Sequence, residues 1–224
     1  MRGYKVWGKT AERRTFGVKY WQQPDQWNRE AERDGMSHRV FSSSMCDIGE
    51  DQTTIISELP KLWEAIRRTP HLDWQLLTKR AGRYRSILPR DWGEGYPNVW
   101  LGVSVESPAF AWRMDFLRKI PAIVHFVSYE PALEDLADHC DLTNIQWVIY
   151  GGESGPGFRE ADIQWARNMR DKCAREDVAF FHKQSSARYT ERGIELDGVI
   201  VRNYPMPRRV VSKLSAKPAV SVLF

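Results

Sequence analysis

Six short apolar runs recur along the chain, and their spacing is the strongest constraint on the fold. The runs are rich in β-branched and aromatic residues and begin 23 to 35 residues apart. One strand, one crossover helix and two loops fill such a spacing, which indicates βαβ units in a parallel sheet. The runs are HRVFSSSM (38–45), DWQLLTKR (73–80), NVWLGVSVE (98–106), AIVHFVSYEP (122–131), IQWVIYGGES (145–154) and VAFFHKQ (178–184).

Three of the segments between these runs have the period of a helix, namely 53–69, 107–120 and 160–177. In the first, Pro60 predicts either a kink or a later helix start, because proline cannot donate a backbone hydrogen bond. In the second, Ser107 is a candidate N-cap and Pro108 suits the first helical position. The remaining links have little periodicity, so we expect irregular structure at 80–95 and 131–144.

A parallel sheet of six consecutive units can be an open sheet or a barrel. No G-x-G-x-x-G follows the first strand and no G-x-x-x-x-G-K-[ST] occurs anywhere, which counts against a nucleotide-binding open sheet. We therefore predict an α/β fold with a parallel, TIM-like (β/α) barrel, complete or partial. The expected parts are an N-terminal irregular or helical segment (1–36), the barrel domain (37–204) and a basic C-terminal tail (205–224).

Composition indicates a globular protein, with 42% hydrophobic and 28% charged residues in a chain of 224. No apolar stretch approaches the roughly 20 residues that span a bilayer, and the N-terminus lacks the apolar core of a signal peptide. We expect a cytoplasmic protein with no membrane partner. The net charge of +4 equals the charge of the tail alone, so the neutral body argues against a basic nucleic-acid-binding face.

Each predicted strand changes from apolar to polar at its C-terminal end. In parallel α/β folds these ends share one edge or mouth, where ligands bind. Carboxylates there can bind a metal ion, hold an ammonium group or transfer protons, and lysines can neutralise a phosphate or carboxylate. Ion pairs without a catalytic role are the alternative. The candidate catalytic residues are Glu106, Glu130, Glu153 and Lys183, and the candidate substrate-binding residues are Asp47, Thr78, Lys79, Arg80, Ser104, Gly151, Gly152, Ser154 and Gln184.

The segment GGESGPG (151–157) needs a comparison with known turn motifs. It is not the G-x-S-x-G nucleophile elbow, because Pro156 stands two residues after Ser154. Its first two glycines predict a backbone that a ligand approaches closely, or a bend. The motif alone therefore predicts no reaction.

Taken in order, six motifs resemble those of a phage-associated family named after phage gene products 37 and 68, namely RVFSSSMCD, LLTKR, NVWLGVSVE, YEP, WVIYGGESGPG and FFHKQ. That family is also described by a three-cysteine motif and as a domain of unknown function. The resemblance extends from about residue 3 to residue 205. It implies a TIM-like barrel with some similarity to radical S-adenosylmethionine enzymes, and it implies no established reaction.

The chain departs from that family at its N-terminus. Family members usually begin with three closely spaced cysteines, whereas this chain begins inside the matching region and holds only Cys46, Cys140 and Cys173. An iron–sulfur cluster needs several thiolates at defined spacing. The resemblance therefore implies an N-terminally incomplete form with no cofactor encoded in this chain, and an iron–sulfur cluster and S-adenosylmethionine only in a full-length form. His182 also stands where the family usually has phenylalanine.

One transfer from radical S-adenosylmethionine enzymes is not justified. Those enzymes often hold the methionine amino group with a Gly-Gly-Glu motif that follows the second strand. Here the same letters, Gly151 to Glu153, follow a much later strand. The letters agree and the position does not.

Three functions remain open from sequence. The first is an enzyme-derived barrel with an unknown small-molecule or nucleic-acid substrate. The second is a nucleic-acid-binding module, suggested by ten tryptophans, the N-terminal basic residues and the basic tail. The third is a cluster-free metal-dependent hydrolase, in which Glu106, Glu130 and Glu153 form a ring of carboxylates at the mouth. A missing first strand would leave the 38–45 strand at an open edge, which favours aggregation unless a partner protein or the N-terminal segment covers it.

Overall fold

A curled parallel sheet organises the chain. In the computed structural model, which describes residues 11, 13, 15–42, 46–206 and 220–223, seven strands form one sheet in the order β6-β5-β4-β3-β2-β1-β7. All neighbouring strands are parallel. The strands are β1 His38–Ser42, β2 Leu72–Thr78, β3 Val99–Ser104, β4 Val124–Tyr129, β5 Trp147–Gly151, β6 Ala179–Gln184 and β7 Val220–Leu223.

The six predicted strands are confirmed, and most of them end before the predicted run does. β3 ends at Ser104 rather than Glu106, and β4 ends at Tyr129 rather than Pro131. The reason is that the polar residues at the ends of the runs lie beyond the last backbone pairs of the sheet. Side chains placed there are not confined to the two faces of the sheet.

The link between β4 and β5 has a 3₁₀ turn at Ala137–His139, whereas α-helices precede β1 and lie in the other links from β1 to β6. The α-helices are α1 Val18–Trp21, α2 Gln23–Asp34, α3 Thr53–Arg68, α4 Tyr84–Ile87, α5 Arg113–Leu117 and α6 Ile163–Arg175. The later start suggested by Pro60 is wrong, because α3 continues through this residue while Trp63 and Ile66 are buried. Tertiary packing of an apolar face outweighs local propensity here. α6 is confirmed and is capped by Asp162, whose carboxylate accepts a hydrogen bond from Gln164 N at 2.8 Å.

The segment after β3 differs from its prediction. Instead of one helix over 107–120, a 3₁₀ turn at Pro108–Phe110 precedes the short helix α5. Ser107 makes no side-chain capping hydrogen bond. The first residue of α5 is Arg113, whose buried guanidinium binds back to the end of β3. That polar contact competes with a continuous amphipathic helix.

The two faces of the sheet are buried in different ways. Because consecutive parallel strands lie side by side, right-handed crossovers carry the helices to the same face. Strand residues on that helical face join the larger core with side chains from α3, α5 and α6. The opposite, concave face has its own cluster of aromatic and aliphatic side chains, which contains Trp100, Val124, Phe126, Trp147 and Ile149.

Contacts across the concave face show how strongly the sheet curls. Phe41 on β1 and Phe126 on β4 have ring centroids 6.4 Å apart, although two strands lie between them. In a flat sheet their backbones would be separated by about 14 Å, from three intervals of about 4.8 Å. The described sheet is therefore a half-barrel, and a closed TIM barrel is not formed by these residues.

Gly102 allows this contact. A Cβ atom at this position of β3 would lie 2.3 Å from two atoms of the Phe126 ring. The ring therefore occupies the space that a side chain of β3 would take. Without that space, Phe126 could not extend over β3 toward β1.

The segment after β6 returns along the outer edge of that strand. His182 N donates to Val201 O at 2.8 Å, and Asn203 N donates to Phe180 O at 3.0 Å. The return places Tyr204 on the concave face, where its ring centroid lies 5.3 Å from Trp147 and 5.2 Å from Phe181.

The open edge expected at the first strand is wrong. β7, which belongs to the predicted basic tail, pairs in parallel with β1 from Arg39↔Val220 to Ser42↔Leu223. A later segment of the chain thus occupies the edge that we expected a partner protein or the N-terminal segment to cover. None of the helices in the described ranges is long and apolar enough to cross a membrane.

We predict that Gly102→Ala destabilises the fold by about 1–3 kcal/mol, because the added methyl group collides with the Phe126 ring. Urea denaturation of the purified protein measures this change. Gly17→Ala is the matched control, since a Cβ atom there meets nothing within 4 Å. Equal unfolding free energies for the two variants would contradict the packing described for Gly102.

Candidate functional site

Two lysine–glutamate pairs mark the C-terminal mouth of the half-barrel. Lys79, which follows β2, binds Glu106, which follows β3. Lys183 on β6 donates from Nζ to Glu130 Oε2, which follows β4, at 2.7 Å. The lysine side chains are 51% and 48% exposed, whereas their glutamate partners are 7% and 16% exposed. Each pair thus combines a half-exposed lysine side chain with a more buried glutamate.

Glu106 has two cationic partners. Arg113 Nη1 lies 2.7 Å from Glu106 Oε2 and 2.7 Å from Ser104 O. Burial raises the pKa of the Glu106 carboxyl, but the hydrogen bond from Lys79 and the charges of Lys79 and Arg113 outweigh it, so the pKa lies below its ordinary value. Glu106 is therefore ionised at neutral pH, and the group of three side chains carries one net positive charge.

Arg113 is a residue of this site that the sequence prediction missed. It is buried together with Met114 and Leu117 on the inner side of α5. A signal was present, because Arg113 and Leu117 are four residues apart and share one helical face. A charged residue within an apolar helical stripe needs a buried partner.

Glu130 crosses a strand to reach its partner. It follows β4, and its carboxylate meets Lys183 on β6, so it passes over β5. Gly151 makes this possible, since a Cβ atom there would lie 2.6 Å from Glu130 Oε2. The other oxygen, Oε1, accepts a hydrogen bond from Ser128 at 3.2 Å. The space over Gly151, predicted to admit a ligand, holds the Glu130 side chain.

Gly152, Ser154 and Gln184 hold a loop against the end of β5. A Cβ atom at Gly152 would lie 2.2 Å from Ser186 N, so the two backbones are in close contact. Gln184 Nε2 donates to Gly152 O at 3.0 Å, and its Oε1 accepts from the backbone of the following loop at 2.8 Å. Ser154 forms a backbone bridge to Ala187. These contacts shape one wall of the mouth.

Glu153 binds an arginine of its own loop, whereas Glu106 and Glu130 each bind a lysine at the mouth. Both of its oxygens bind Arg159, at 2.6 and 2.8 Å to the guanidinium and 2.7 Å to the backbone N–H. These hydrogen bonds lower the pKa of Glu153 to about 2. The three carboxylates that were expected to form a ring are instead distributed over separate ion pairs.

Asp47, Thr78 and Arg80 connect the loop after β1 to the end of β2. Asp47 accepts hydrogen bonds from the Thr78 hydroxyl, the Arg80 guanidinium and Lys79 N. It also accepts from Gly49 N at 2.9 Å, which closes the turn. The structure therefore places Asp47 beside Lys79, where it fixes the backbone that carries this lysine.

The structure also locates the cysteines and tryptophans. Cys140 and Cys173 pack on the helical side, where burial raises the pKa of their thiols to about 11 and about 12. No group of three His, Cys, Asp or Glu side chains in the described ranges could hold a metal ion.

Of the nine described tryptophans, Trp112 is exposed and the other eight belong to the two cores or pack against them.

The fold and its mouth define a class of protein, a parallel α/β half-barrel with ion pairs at the C-terminal ends of its strands. The chain matches, over residues 1–205, a family described as "Protein of unknown function (DUF5131)", and it belongs to that family. The family description contains no phage gene product, so this part of the resemblance stays a prediction. No curated protein matches the chain.

His182, next to Lys183, points to the helical side of the sheet. Its side chain is fully buried, stacks on Tyr150 with centroids 5.5 Å apart, and has Nε2 3.0 Å from Gly193 O. Burial lowers its pKa, against the Gly193 hydrogen bond that raises it. The unfolded chain therefore binds a proton more readily than the folded chain, and stability decreases as the pH falls below 6.5, the ordinary value.

We predict that His182→Phe reduces this pH dependence. Phenylalanine keeps a flat ring against Tyr150 and does not titrate, and Gly193 O retains its hydrogen bond from Ser185 N at 2.9 Å. Thermal melting at about pH 7.5 and about pH 5.5 measures the effect, across the range in which histidine titrates. The difference in Tm between the two pH values should be smaller in the variant. An unchanged difference would show that His182 does not control acid stability.

Proposed function

We propose that this chain is a barrel-derived enzyme whose C-terminal mouth binds a small anionic molecule between Lys79 and Lys183. The observation that carries the proposal is the pair of half-exposed lysine side chains, each bound to a more buried glutamate at the ends of parallel strands. Ligands of parallel α/β folds bind at this end of the sheet. The substrate class is therefore a small molecule with a carboxylate or phosphate group.

The carboxylates of the two pairs have different roles in this proposal. Glu106 binds two cations and has a lowered pKa, so it positions Lys79 and Arg113 and does not supply a proton. Glu130 binds one cation, Lys183, and one hydroxyl. When a ligand anion binds Lys183, Glu130 Oε2 becomes available to accept an N–H or O–H proton of the ligand. Glu130 is thus our candidate general base.

The descent of the chain is part of the same proposal. Consecutive strand order with helices on one face is the order of a (β/α) barrel, and it supports an origin from a barrel enzyme. The similarity to radical S-adenosylmethionine enzymes and the association with phages rest on the motif resemblance alone. The proposal assigns no reaction that needs a cofactor.

The two alternatives have less support. The metal-dependent hydrolase relied on three converging glutamates, and in the structure Glu153 binds Arg159 instead. The nucleic-acid-binding module relied in part on the tryptophans, and of the nine that are described all but Trp112 are buried or half-buried. Both retain their own tests, metal analysis of the purified protein and filter binding to DNA across salt concentrations.

We predict that small anions stabilise the wild-type protein and that Lys183→Met reduces this effect. Inorganic phosphate, oxalate and citrate are the probes, and the shift in Tm is the measurement. A ligand at one hundred times its Kd stabilises a protein by about 2.7 kcal/mol. Lys79→Met should reduce the shift as well, because both ammonium groups contact the anion.

Lys61→Met is the matched control. Lys61 pairs with Glu58 at 2.7 Å on the surface of α3, and the two side chains are 53% and 20% exposed, close to the values for Lys183 and Glu130. Its loss removes a surface ion pair of similar exposure that lies within a helix and not at a strand end. Equal stabilisation of Lys183→Met and wild type by every probe, or no stabilisation of either, would refute the anion site at the mouth.

A further inference from the structure

Three buried side chains on the concave face have hydrogen-bond donors without acceptors. The donors are Arg39 Nε and Nη2, Gln75 Nε2 and Trp100 Nε1, and none has a partner in the part of the chain that the structure describes. The residues are 8%, 2% and 1% exposed. Buried polar atoms are nearly always hydrogen-bonded in folded proteins, so three such residues on one surface require an explanation.

The backbone register places the three side chains on the same face. Arg39 is level with Asp73 on β2, and Gln75 is level with Trp100 on β3. Asp73 and Gln75 are two residues apart on one strand, so their side chains point to the same side. Trp100 belongs to the concave cluster, which identifies that side. The donors therefore occupy three adjacent strands inside the curl of the sheet.

Arg39 is oriented by a stacking contact. Its guanidinium carbon lies 3.3 Å from the centroid of the Tyr204 ring, and Tyr204 in turn packs on Trp147 and Phe181. Stacking uses the flat face of the guanidinium and leaves its N–H groups in the plane. Nε and Nη2 form one edge of this plane, the edge that binds both oxygens of a carboxylate or phosphate.

The surroundings define the class of ligand further. Each of these atoms is an N–H donor that cannot accept a hydrogen bond. The ligand must therefore supply oxygen acceptors. Burial lowers the pKa of Arg39 below its ordinary value, although the negative charge of Asp73, which is level with it on β2, acts in the opposite direction. Phe41 is level with Gln75, and Trp147 contacts Trp100 edge to face with centroids 5.8 Å apart. Aromatic rings thus border the donors.

We propose that the concave face contains a second binding site, below the mouth, in which Arg39, Gln75 and Trp100 donate hydrogen bonds to an oxyanion. The ligand is a small carboxylate or a phosphoryl compound. The site uses none of the mouth residues, so the proposal stands independently of the one for Lys79 and Lys183.

Side-chain ¹H–¹⁵N NMR of the whole chain tests this site directly. The probes are inorganic phosphate, acetate and benzoate, which separate phosphoryl from carboxylate binding and test for an aromatic body. We expect at least one probe to shift the Arg39 Nε–H, Gln75 amide and Trp100 indole signals along a single binding curve. Lys183→Met should leave this curve unchanged, because that residue lies at the mouth.

Arg39→Lys is the decisive variant, since an ammonium group keeps the charge and cannot offer the two-pronged edge. It should weaken binding by about tenfold or more, the usual effect of losing a charge-assisted pair of hydrogen bonds. Arg188→Lys is the matched control, because Arg188 stacks on Tyr189 at 5.9 Å on the exposed surface. This control should bind the probe like wild type.

Two outcomes would overturn the proposal. One is the absence of any shift in the three donor signals with all three probes. The other is an equal binding curve for wild type and Arg39→Lys. If Arg39→Lys does not fold, Gln75→Glu provides the same test, because it keeps the shape of the side chain and replaces the donor with a negative charge. It should also weaken binding by about tenfold, and unchanged binding would refute the site.

Discussion

Because the crossovers between consecutive strands lie on the same face of the sheet, the other face has no helical layer to bury it. The sheet buries that face by curling, and side chains of distant strands then cover one another. The contact between Phe41 and Phe126 is the clearest evidence of this curl. The mouth, the concave cluster and the positions of the polar strand ends all depend on this curl.

Two glycines adapt the curled sheet to long side chains. Gly102 leaves room for Phe126 to extend over β3, and Gly151 leaves room for Glu130 to extend over β5. In both cases a side chain from one strand passes above its neighbour and meets a residue on a strand beyond it. The apolar contact inside the half-barrel and the ion pair at its mouth therefore depend on the same feature, a glycine that leaves room for a side chain from the neighbouring strand.

Much of this architecture can be read from the sequence, and the reason is periodicity. The six strands alternate with helices at a spacing that fits only βαβ units, and each strand ends in polar residues. The pairing of those residues cannot be read in the same way. Glu130 and Glu153 both follow apolar strands, yet one turns inward to Lys183 and the other binds Arg159 in its own loop. That choice depends on local backbone direction and on a neighbouring glycine.

The sequence also contains signals that a search of strand ends overlooks. Arg39 and Gln75 lie within apolar runs, at alternate positions that face the concave side, so they look like ordinary interruptions of a strand. The strand β7 is short and lies far along the chain from β1, so neither period nor spacing predicts it. The contacts of polar residues inside strands, and the pairing of strands far apart in the chain, can be identified only from the structure, because the partners are distant in sequence.

Tyr204 gives the half-barrel a property that its backbone lacks. β6 and β1 are far apart in the sheet order, and Tyr204 joins them by touching Phe181 on one side and Arg39 on the other. The Tyr204 ring thus bridges the open side of the half-barrel. The distance between β1 and β6 and the orientation of the Arg39 guanidinium therefore depend on each other. Spreading β1 away from β6 would therefore separate the Tyr204 ring from Arg39 or from Phe181.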